Sequence, residues 1–235
     1  NGIAIGSLAS TAGDQGIALG AESSVTAQNS VAIGYGTSVT TSNEVYLGNA
    51  ATTNIGGTVN WTALSDGRFK DDVKENVPGL DFINTLRPVT YKYDPEKIAS
   101  HRGENSAFNF DDKKEVVYTG FIAQEVEKAA NELNYDFSGV KVPENTDTDM
   151  YGIRYAEFVA PLVQAVQELD AKVKKLEQML ETKDQLLQEK ELEITALSDQ
   201  QKQINLILKR LQMLEGDQIN EVMSGQQTTK ISSNQ

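Results

Sequence analysis

The chain has 235 residues, with no Cys, a single His and a formal net charge of −13 at pH 7. The absence of Cys excludes a disulfide framework and a thiolate metal site, and the lone His101 nearly excludes a His-based zinc site or a Ser-His-Asp triad. The acidic balance argues against nucleic acid or an anionic membrane as the main partner, and no apolar run approaches the ~20 residues that span a bilayer. We therefore expect no metal, no cofactor, no nucleic-acid partner and no membrane insertion.

The N-terminal part of the chain repeats with a period of fourteen residues. The tetrapeptides IAIG, IALG, VAIG and VYLG start at positions 3, 17, 31 and 45. Polar segments of β type, such as residues 23–26 and 37–40, lie midway between them with the same spacing. Each unit therefore predicts two short strands joined by turns, with apolar side chains alternating toward one face.

One such unit is too thin to bury its apolar face, so the copies are expected to stack into a solenoid. Even stacked, these coils carry few large side chains, and we expect the Ile, Val and Leu faces of several chains to meet on an axis. A flexible Gly/Ser/Thr linker is the alternative, but a linker does not keep a fixed period. The segment SVAIGYGTSV, residues 30–39, resembles the head repeats of trimeric autotransporter adhesins. That resemblance implies a trimeric, left-handed parallel β-roll, which we assign to residues 1–56.

The middle of the chain predicts a small α+β domain over residues 65–160, reached through a connector at residues 57–64. The predicted elements are a helix at 77–86, a strand at 88–93, a polar loop at 98–114, a strand at 116–122 and a helix at 124–133. Residues 153–155 then lead into the terminal helix, where Pro161 is tolerated only in the first turns or at a kink. His101 is expected to be exposed in the polar loop.

Four motifs in this region occur in a fixed order: SDGRFK from Ser65, LRPVTY from Leu86, GFIAQEV from Gly120, and Tyr155 ahead of a coiled coil. In this order they resemble the C-terminal intramolecular chaperone domain of endosialidases, phage tailspikes and tail fibres, which also occurs in myelin regulatory factor. The resemblance implies a domain that trimerises, folds the fibre upstream and then cuts itself off. It implies Ser65 as the nucleophile, Lys70 as the general base and Leu64–Ser65 as the cleaved bond, in a single-turnover serine peptidase with no other substrate.

The chemistry of a Ser-Lys dyad sets conditions on the residues around it. A serine hydroxyl needs a base within hydrogen-bond reach, and a lysine serves only as the neutral amine, so its usual pKa of about 10.4 must be lowered. Arg68 is the candidate for a nearby positive charge, whereas Asp66, Asp71 and Asp72 act in the opposite direction. We expect the dyad to be desolvated only inside the assembled trimer.

Two features keep a structural interpretation of the same residues open. The family commonly has Leu before the Lys and an E-N-I run after it, whereas this chain has Phe69 before it and Asp-Asp-Val at 71–73. Spacing alone favours a structural role, with Ser65 as a helix N-cap or turn residue and Lys70 as a solvated side chain, and only the four ordered motifs favour the dyad. Gly120 and Gln124 are interpreted as the end of a strand and the start of a helix rather than as catalytic residues.

The C-terminal part of the chain has a heptad repeat, which predicts a coiled coil over residues 161–215 of roughly 75–80 Å. Its two sets of core positions are 162, 169, 176, 183, 190, 197, 204 and 211, and 166, 173, 180, 187, 194, 201 and 208. Only Lys183, Lys190 and Gln201 are polar among them, and the two lysines leave room for a break. The alternative is an amphipathic helix packed on a domain. Residues 216–235 are predicted to be a disordered tail.

Together these features predict a multi-part homotrimer: a left-handed parallel β-roll, a small α+β domain and a long coiled coil. Because the chain begins at Asn1 without a Met or a signal-like segment, we expect a fragment of a longer protein. The expected setting is a virion tail fibre or an extracellular contractile-injection or bacterial surface structure, with upstream fibre or baseplate-type proteins as partners. The alternative is a non-cleaving adhesive tip that presents residues 98–114 to a cell-surface receptor. Paired carboxylates of a glycan-degrading site are not recognisable.

Overall fold

The computed structural model describes residues 1–104 and 108–231, with side chains up to Gly216. The chain divides into two units, Asn1–Leu169 and Asp170–Gln235. The first unit holds the repeats and the middle domain, and the second consists, where described, of helix.

The repeats form a solenoid of parallel strands, as predicted. The strands are β1 Ile3–Ile5, β2 Ser10–Thr11, β3 Ile17–Leu19, β4 Ser24–Val25, β5 Val31–Ile33, β6 Ser38–Val39 and β7 Val45–Leu47. They form two parallel sheets, in the orders β1-β3-β5-β7 and β2-β4-β6. Each residue pairs with its repeat equivalent, as Ile3 does with Ile17 and Ser24 with Ser38. The fourteen-residue period is therefore one coil of the solenoid.

The coils stay thin because small side chains fill the inside and turns recur every seven residues. Ala18, Val25, Ala32 and Val39 are fully buried between the two sheets. The turns place one residue in the left-handed region each time: Leu8, Gln15, Glu22, Asn29, Gly36 and Asn43, with φ from 50° to 63°. Gly20 also has positive φ, and a Cβ there would lie 2.4 Å from the carbonyl oxygen of the next coil.

The large apolar side chains of the repeat point outward instead. The outward set is Ile3, Ile5, Ile17, Leu19, Ile33 and Val45, which are 36% to 62% exposed. We call this set the outer face of the roll. It is the face predicted to meet other chains, and in the single chain it is in contact with solvent.

The middle domain is built of short elements around an aromatic core. They are α1 Leu80–Ile83, β8 Val89–Tyr91, α2 Pro95–Arg102, α3 Asp111–Glu115, β9 Tyr118–Gly120, α4 Ala123–Glu132, β10 Val140–Lys141 and β11 Gly152–Ile153. β8 pairs with β9 and β10 with β11, both antiparallel. Phe82 is fully buried at the centre of a core that includes Val126, Phe137 and Phe158.

Several predicted elements differ from those observed. The polar loop predicted at 98–114 instead contributes most of α2 and α3. Asp94, which directly follows the strand predicted at 88–93, caps α2 by accepting a hydrogen bond from the Lys97 backbone N at 3.1 Å, and Gly103 ends the helix in the left-handed conformation. The helix predicted at 77–86 shortens to α1, because Pro78 and Gly79 precede it and a Cβ at Gly79 would lie 2.7 Å from the Ala165 backbone N.

The terminal helix, α5 Val159–Ile231, is continuous over 73 residues. Pro161 lies in its first turn, as predicted. No break occurs at Lys183 or Lys190, and the helix passes Gly216, where the sequence predicts the start of a disordered tail. The twelve apolar core positions of the heptad are 44% to 65% exposed in the single chain. Within residues 1–104 and 108–231, no helix combines the length and apolar character needed to cross a bilayer.

Candidate self-cleavage site

The predicted cleavage site lies on a segment without regular packing. Residues 53–76 are exposed except for Asp66, which is half-buried, and the only regular element among them is a 3-10 turn, Gly67–Phe69. The segment exposes six large apolar side chains, Ile55, Val59, Trp61, Leu64, Phe69 and Val73, at 59% to 88%. We call residues 53–76 the connector segment, which is longer at both ends than the connector predicted at residues 57–64.

The 3-10 turn brings the two predicted catalytic side chains together. Asp66 caps the turn, since its Oδ1 accepts a hydrogen bond from the Arg68 backbone N at 3.0 Å, and the Lys70 backbone N donates to the Gly67 carbonyl oxygen at 3.2 Å. The chain thereby reverses, and Lys70 Nζ donates to Ser65 Oγ at 2.8 Å. This separation is the one that a nucleophile and its base require.

The charges around this pair differ from those expected. Arg68, the predicted source of positive charge, is bound to Asp66, with 2.6 Å between Nη2 and Oδ2. Hydrogen bonds from the Arg68 side chain and backbone lower the pKa of Asp66. Asp72 pairs with Lys74 at 2.6 Å. Two of the carboxylates expected to act on Lys70, those of Asp66 and Asp72, are therefore bound to other cations. The Arg68 guanidinium, expected to oppose them, has its charge balanced by Asp66.

The other three motifs come together in the folded domain. β8, from the LRPVTY motif, pairs with β9, which ends at Gly120, and Arg87 Nε donates to Glu125 Oε2 at 3.1 Å. A Cβ on Gly120 would lie 1.9 Å from the hydroxyl oxygen of Tyr155, so no larger residue fits there without rearrangement. Gln124 is the second residue of α4, in accord with its interpretation as a helix-start residue.

A cleft that the sequence does not predict lies beside these motifs. Its volume is about 630 Å³, and Tyr91, Tyr93, His101, Phe121 and Tyr151 are among its lining residues. His101 is exposed, as predicted, but belongs to α2 rather than to a loop. Alternating tyrosines at 91 and 93 are the only sequence signal of this cleft. Among the described residues, no three His, Asp or Glu side chains converge into a metal site.

Comparison with family models adds an independent observation at the same residues. Residues 65–135 match the family model for the chaperone of endosialidase. The match starts at Ser65 and includes the motifs at residues 86–91 and 120–126. Three overlapping stretches, residues 1–23, 12–37 and 26–43, match the YadA head domain repeat. No curated protein matches the chain.

Both resemblances found in the sequence, and their order along the chain, are thereby confirmed. The endosialidase-chaperone match ends before β10, so Tyr155 and α5 lie outside it. The YadA-head match ends within the turn before β7, so the last strand of the solenoid also lies outside it.

Proposed function

We propose that the chain is a fibre-associated trimerisation chaperone that cuts itself once, between Leu64 and Ser65. The observation that carries the proposal is the 2.8 Å contact between Lys70 Nζ and Ser65 Oγ at the first residues of the endosialidase-chaperone match. The adhesin-type head repeats upstream support the fibre setting.

The reaction follows from the position of Ser65 next to the scissile carbonyl. The neutral Lys70 amine accepts the Ser65 hydroxyl proton as Oγ attacks the Leu64 carbonyl carbon. The C–N bond then breaks, the Ser65 nitrogen takes up a proton, and the Leu64 acyl group is left as an ester on Oγ. Water hydrolyses this ester to a Leu64 carboxylate and the free hydroxyl. Because nucleophile and carbonyl belong to adjacent residues, much of the entropic barrier is removed in advance.

Three separate apolar surfaces support self-association. They are the outer face of the roll, the connector segment, and the apolar stripe of α5, each largely exposed in the single chain. Exposed patches of this extent mark interaction sites, and the heptad stripe in particular fits another copy of the same helix. The adhesin-head match favours three copies.

Assembly would also supply the desolvated environment that the reaction requires and that the single chain does not provide. Ser65 and Lys70 are both exposed to solvent in the single chain, whereas a lysine that acts as a base must be the neutral amine. Covering the connector segment with neighbouring chains would desolvate the dyad and favour the neutral amine. We therefore expect cleavage to follow trimer formation.

The proposed setting is a phage tail fibre or a related bacterial surface or injection structure, joined upstream to fibre or baseplate-type proteins. The receptor-binding alternative keeps only part of the segment assigned to it. In segment 98–114, Ala99 and Phe110 are at most 5% exposed and pack against Ala50 of the roll, while most of its other described residues are exposed or half-buried, and residues 105–107 lie outside the described residues.

Substitution of the two dyad residues tests the proposal. Ser65→Ala and Lys70→Ala are each expected to abolish cleavage, leaving one full-length band on a denaturing gel. Thr62→Ala and Lys74→Ala are the matched controls, because they remove a hydroxyl and an amine from the same exposed segment. The controls should be cleaved like the wild type. Cleavage of the Lys70→Ala variant to the same extent as the wild type would contradict the assignment of Lys70 as the base.

A further inference from the structure

The last coil of the roll and the turn that follows it, together residues 35–52, lie against the middle domain. Ala50 packs in one buried cluster with Ala99 of α2 and with Phe110, and all three are at most 5% exposed. The Phe108 ring meets the Tyr35 ring edge-on with 5.2 Å between centroids. Residues from both sides of the Leu64–Ser65 bond therefore share this small core.

A buried carboxylate anchors the same contact. The Glu104 side chain has no exposed surface, and its Oε2 accepts a hydrogen bond from the Ala50 backbone N at 2.8 Å. Burial raises the pKa of Glu104, while the Ala50 N–H and the nearby Arg102 oppose that shift. Arg102 also places its guanidinium 4.6 Å from the centre of the Tyr46 ring.

A second anchor lies on the other side of the coil. Lys141 of β10 forms ion pairs with Glu44 of the roll and with Asp149, the latter at 2.8 Å, and its side chain is 25% exposed. Two further hydrogen bonds join the same parts: Thr40 Oγ1 donates to the Thr148 carbonyl oxygen at 3.0 Å, and Lys113 Nζ to the Thr52 carbonyl oxygen at 2.7 Å.

The last coil departs from the repeat where it meets the domain. The inward positions occupied by Ala18 and Ala32 in earlier coils hold Tyr46 in β7. β7 is an edge strand of its sheet. Open edges and exposed cores at the ends of solenoids require a cap, and the cap here consists of residues 98–104, 108–113 and 141–149. We call these residues the cap surface.

We propose that the middle domain remains seated on the last coil of the roll as a permanent end cap after the Leu64–Ser65 bond is cut. Scission then removes only the covalent tether through the exposed connector segment, and the two fragments stay together. This differs from the release that the family resemblance implies. This inference rests on the proposed function only because that function supplies the natural cut; the contacts between the two fragments do not depend on it.

An introduced cut tests retention independently of self-cleavage. A recognition sequence for a site-specific protease is inserted between Gly56 and Gly57, in the exposed connector segment, in the full-length chain carrying Ser65→Ala. After nicking, size-exclusion chromatography under native conditions should show both fragments in one peak, which separates into two only in denaturant. Elution of the fragments in separate peaks under native conditions would overturn the proposal. Absence of natural cleavage would overturn the proposed function and leave this result intact.

Two substitutions assign retention to the cap surface. Lys141→Met leaves Glu44 and Asp149 without their cation, and the nicked variant is expected to release its N-terminal fragment at a denaturant concentration at which the nicked parent keeps it. Lys92→Met is the control, because it removes only the exposed Lys92–Glu115 pair. Glu44→Gln, which removes one charge with little change in shape, serves if Lys141→Met does not fold. Retention of the fragment by Lys141→Met and Glu44→Gln at the level of the control would contradict the assigned contacts.

Discussion

Asp66 determines the geometry of the Ser65–Lys70 pair although it touches neither reacting atom. Its carboxylate caps the 3-10 turn and binds Arg68, and the turn directs Lys70 back toward Ser65. We therefore regard Asp66 as a positioning residue. Spacing alone predicts that Ser65 and Lys70 can meet, but it does not predict that Arg68 pairs with Asp66 instead of acting on Lys70, because the long Arg68 side chain reaches both.

Substitution of Asp66 should slow cleavage without abolishing it. Loss of a capping side chain costs about 1 kcal/mol, which corresponds to about a fivefold lower rate if the turn must form before the reaction. We expect that decrease for Asp66→Ala, and a rate close to the wild type for Asp66→Asn, because Asn also caps helices and the exposed ion pair contributes little. The rate of appearance of the 65–235 fragment is the measurement. Equal rates for Asp66→Ala and the wild type would show that the cap does not position the dyad.

Lys141 gives the contact between roll and middle domain a defined pH dependence. Burial lowers the pKa of Lys141, but hydrogen bonds to Asp149 and Glu44 outweigh it, so the pKa is raised overall. A raised lysine pKa contributes stability that is fully present below the unfolded value of about 10.4 and is lost as the pH rises through the folded value.

The stability difference between wild type and Lys141→Met should therefore be about 1.5–3 kcal/mol at pH 8 and should shrink above about pH 10.4. Denaturant unfolding across that range measures it, with both proteins carrying Tyr46→Phe because the Tyr46 hydroxyl interacts electrostatically with Lys141. A difference that stays constant to pH 11.5 would contradict the role of the Lys141 charge.

At the scale of elements, strictly periodic segments were predictable from local sequence. The fourteen-residue period appears in the structure as the coils of the solenoid, and the heptads lie on one continuous helix, α5. α2 was missed because Asp94-Pro95 suits both the end of a strand and the start of a helix, and the contacts that stabilise α2 come from Ala50 and Tyr46, roughly fifty residues upstream. Local sequence cannot reveal such long-range packing.

The apolar stripe of α5 provides a prediction about association. Leu176 is 58% exposed in the single chain, so Leu176→Asp should leave the isolated helix intact but place a charge inside a helical interface. We expect it to weaken the oligomer by at least about 2 kcal/mol per chain, seen in sedimentation as a shift toward single chains.

Gln178→Asp is the matched control for Leu176→Asp. It adds the same charge two residues away, outside the predicted core positions, and should assemble like the wild type. Equal assembly of the two variants would show that the stripe is not the interface.

At the scale of the whole molecule, retention of the two fragments and association of several chains depend on different surfaces. The cap surface joins the parts of the first unit on the two sides of the proposed cleavage site, within one chain. The outer face of the roll, the connector segment and the α5 stripe are exposed in one chain, and the proposal assigns them to contacts with other copies. A cut that occurs only inside such an assembly would indicate that the chains have associated. The cap surface would still cover the end of the roll after the cut.

The intact mass of the assembled protein tests the central claim most directly. After expression of the full chain, the trimer fraction is isolated by size and light scattering, and its subunits are weighed by mass spectrometry. We predict two species, residues 1–64 and residues 65–235, the second starting at Ser65, with uncut chain confined to unassembled material. A trimer composed only of full-length chains would contradict self-cleavage at this site.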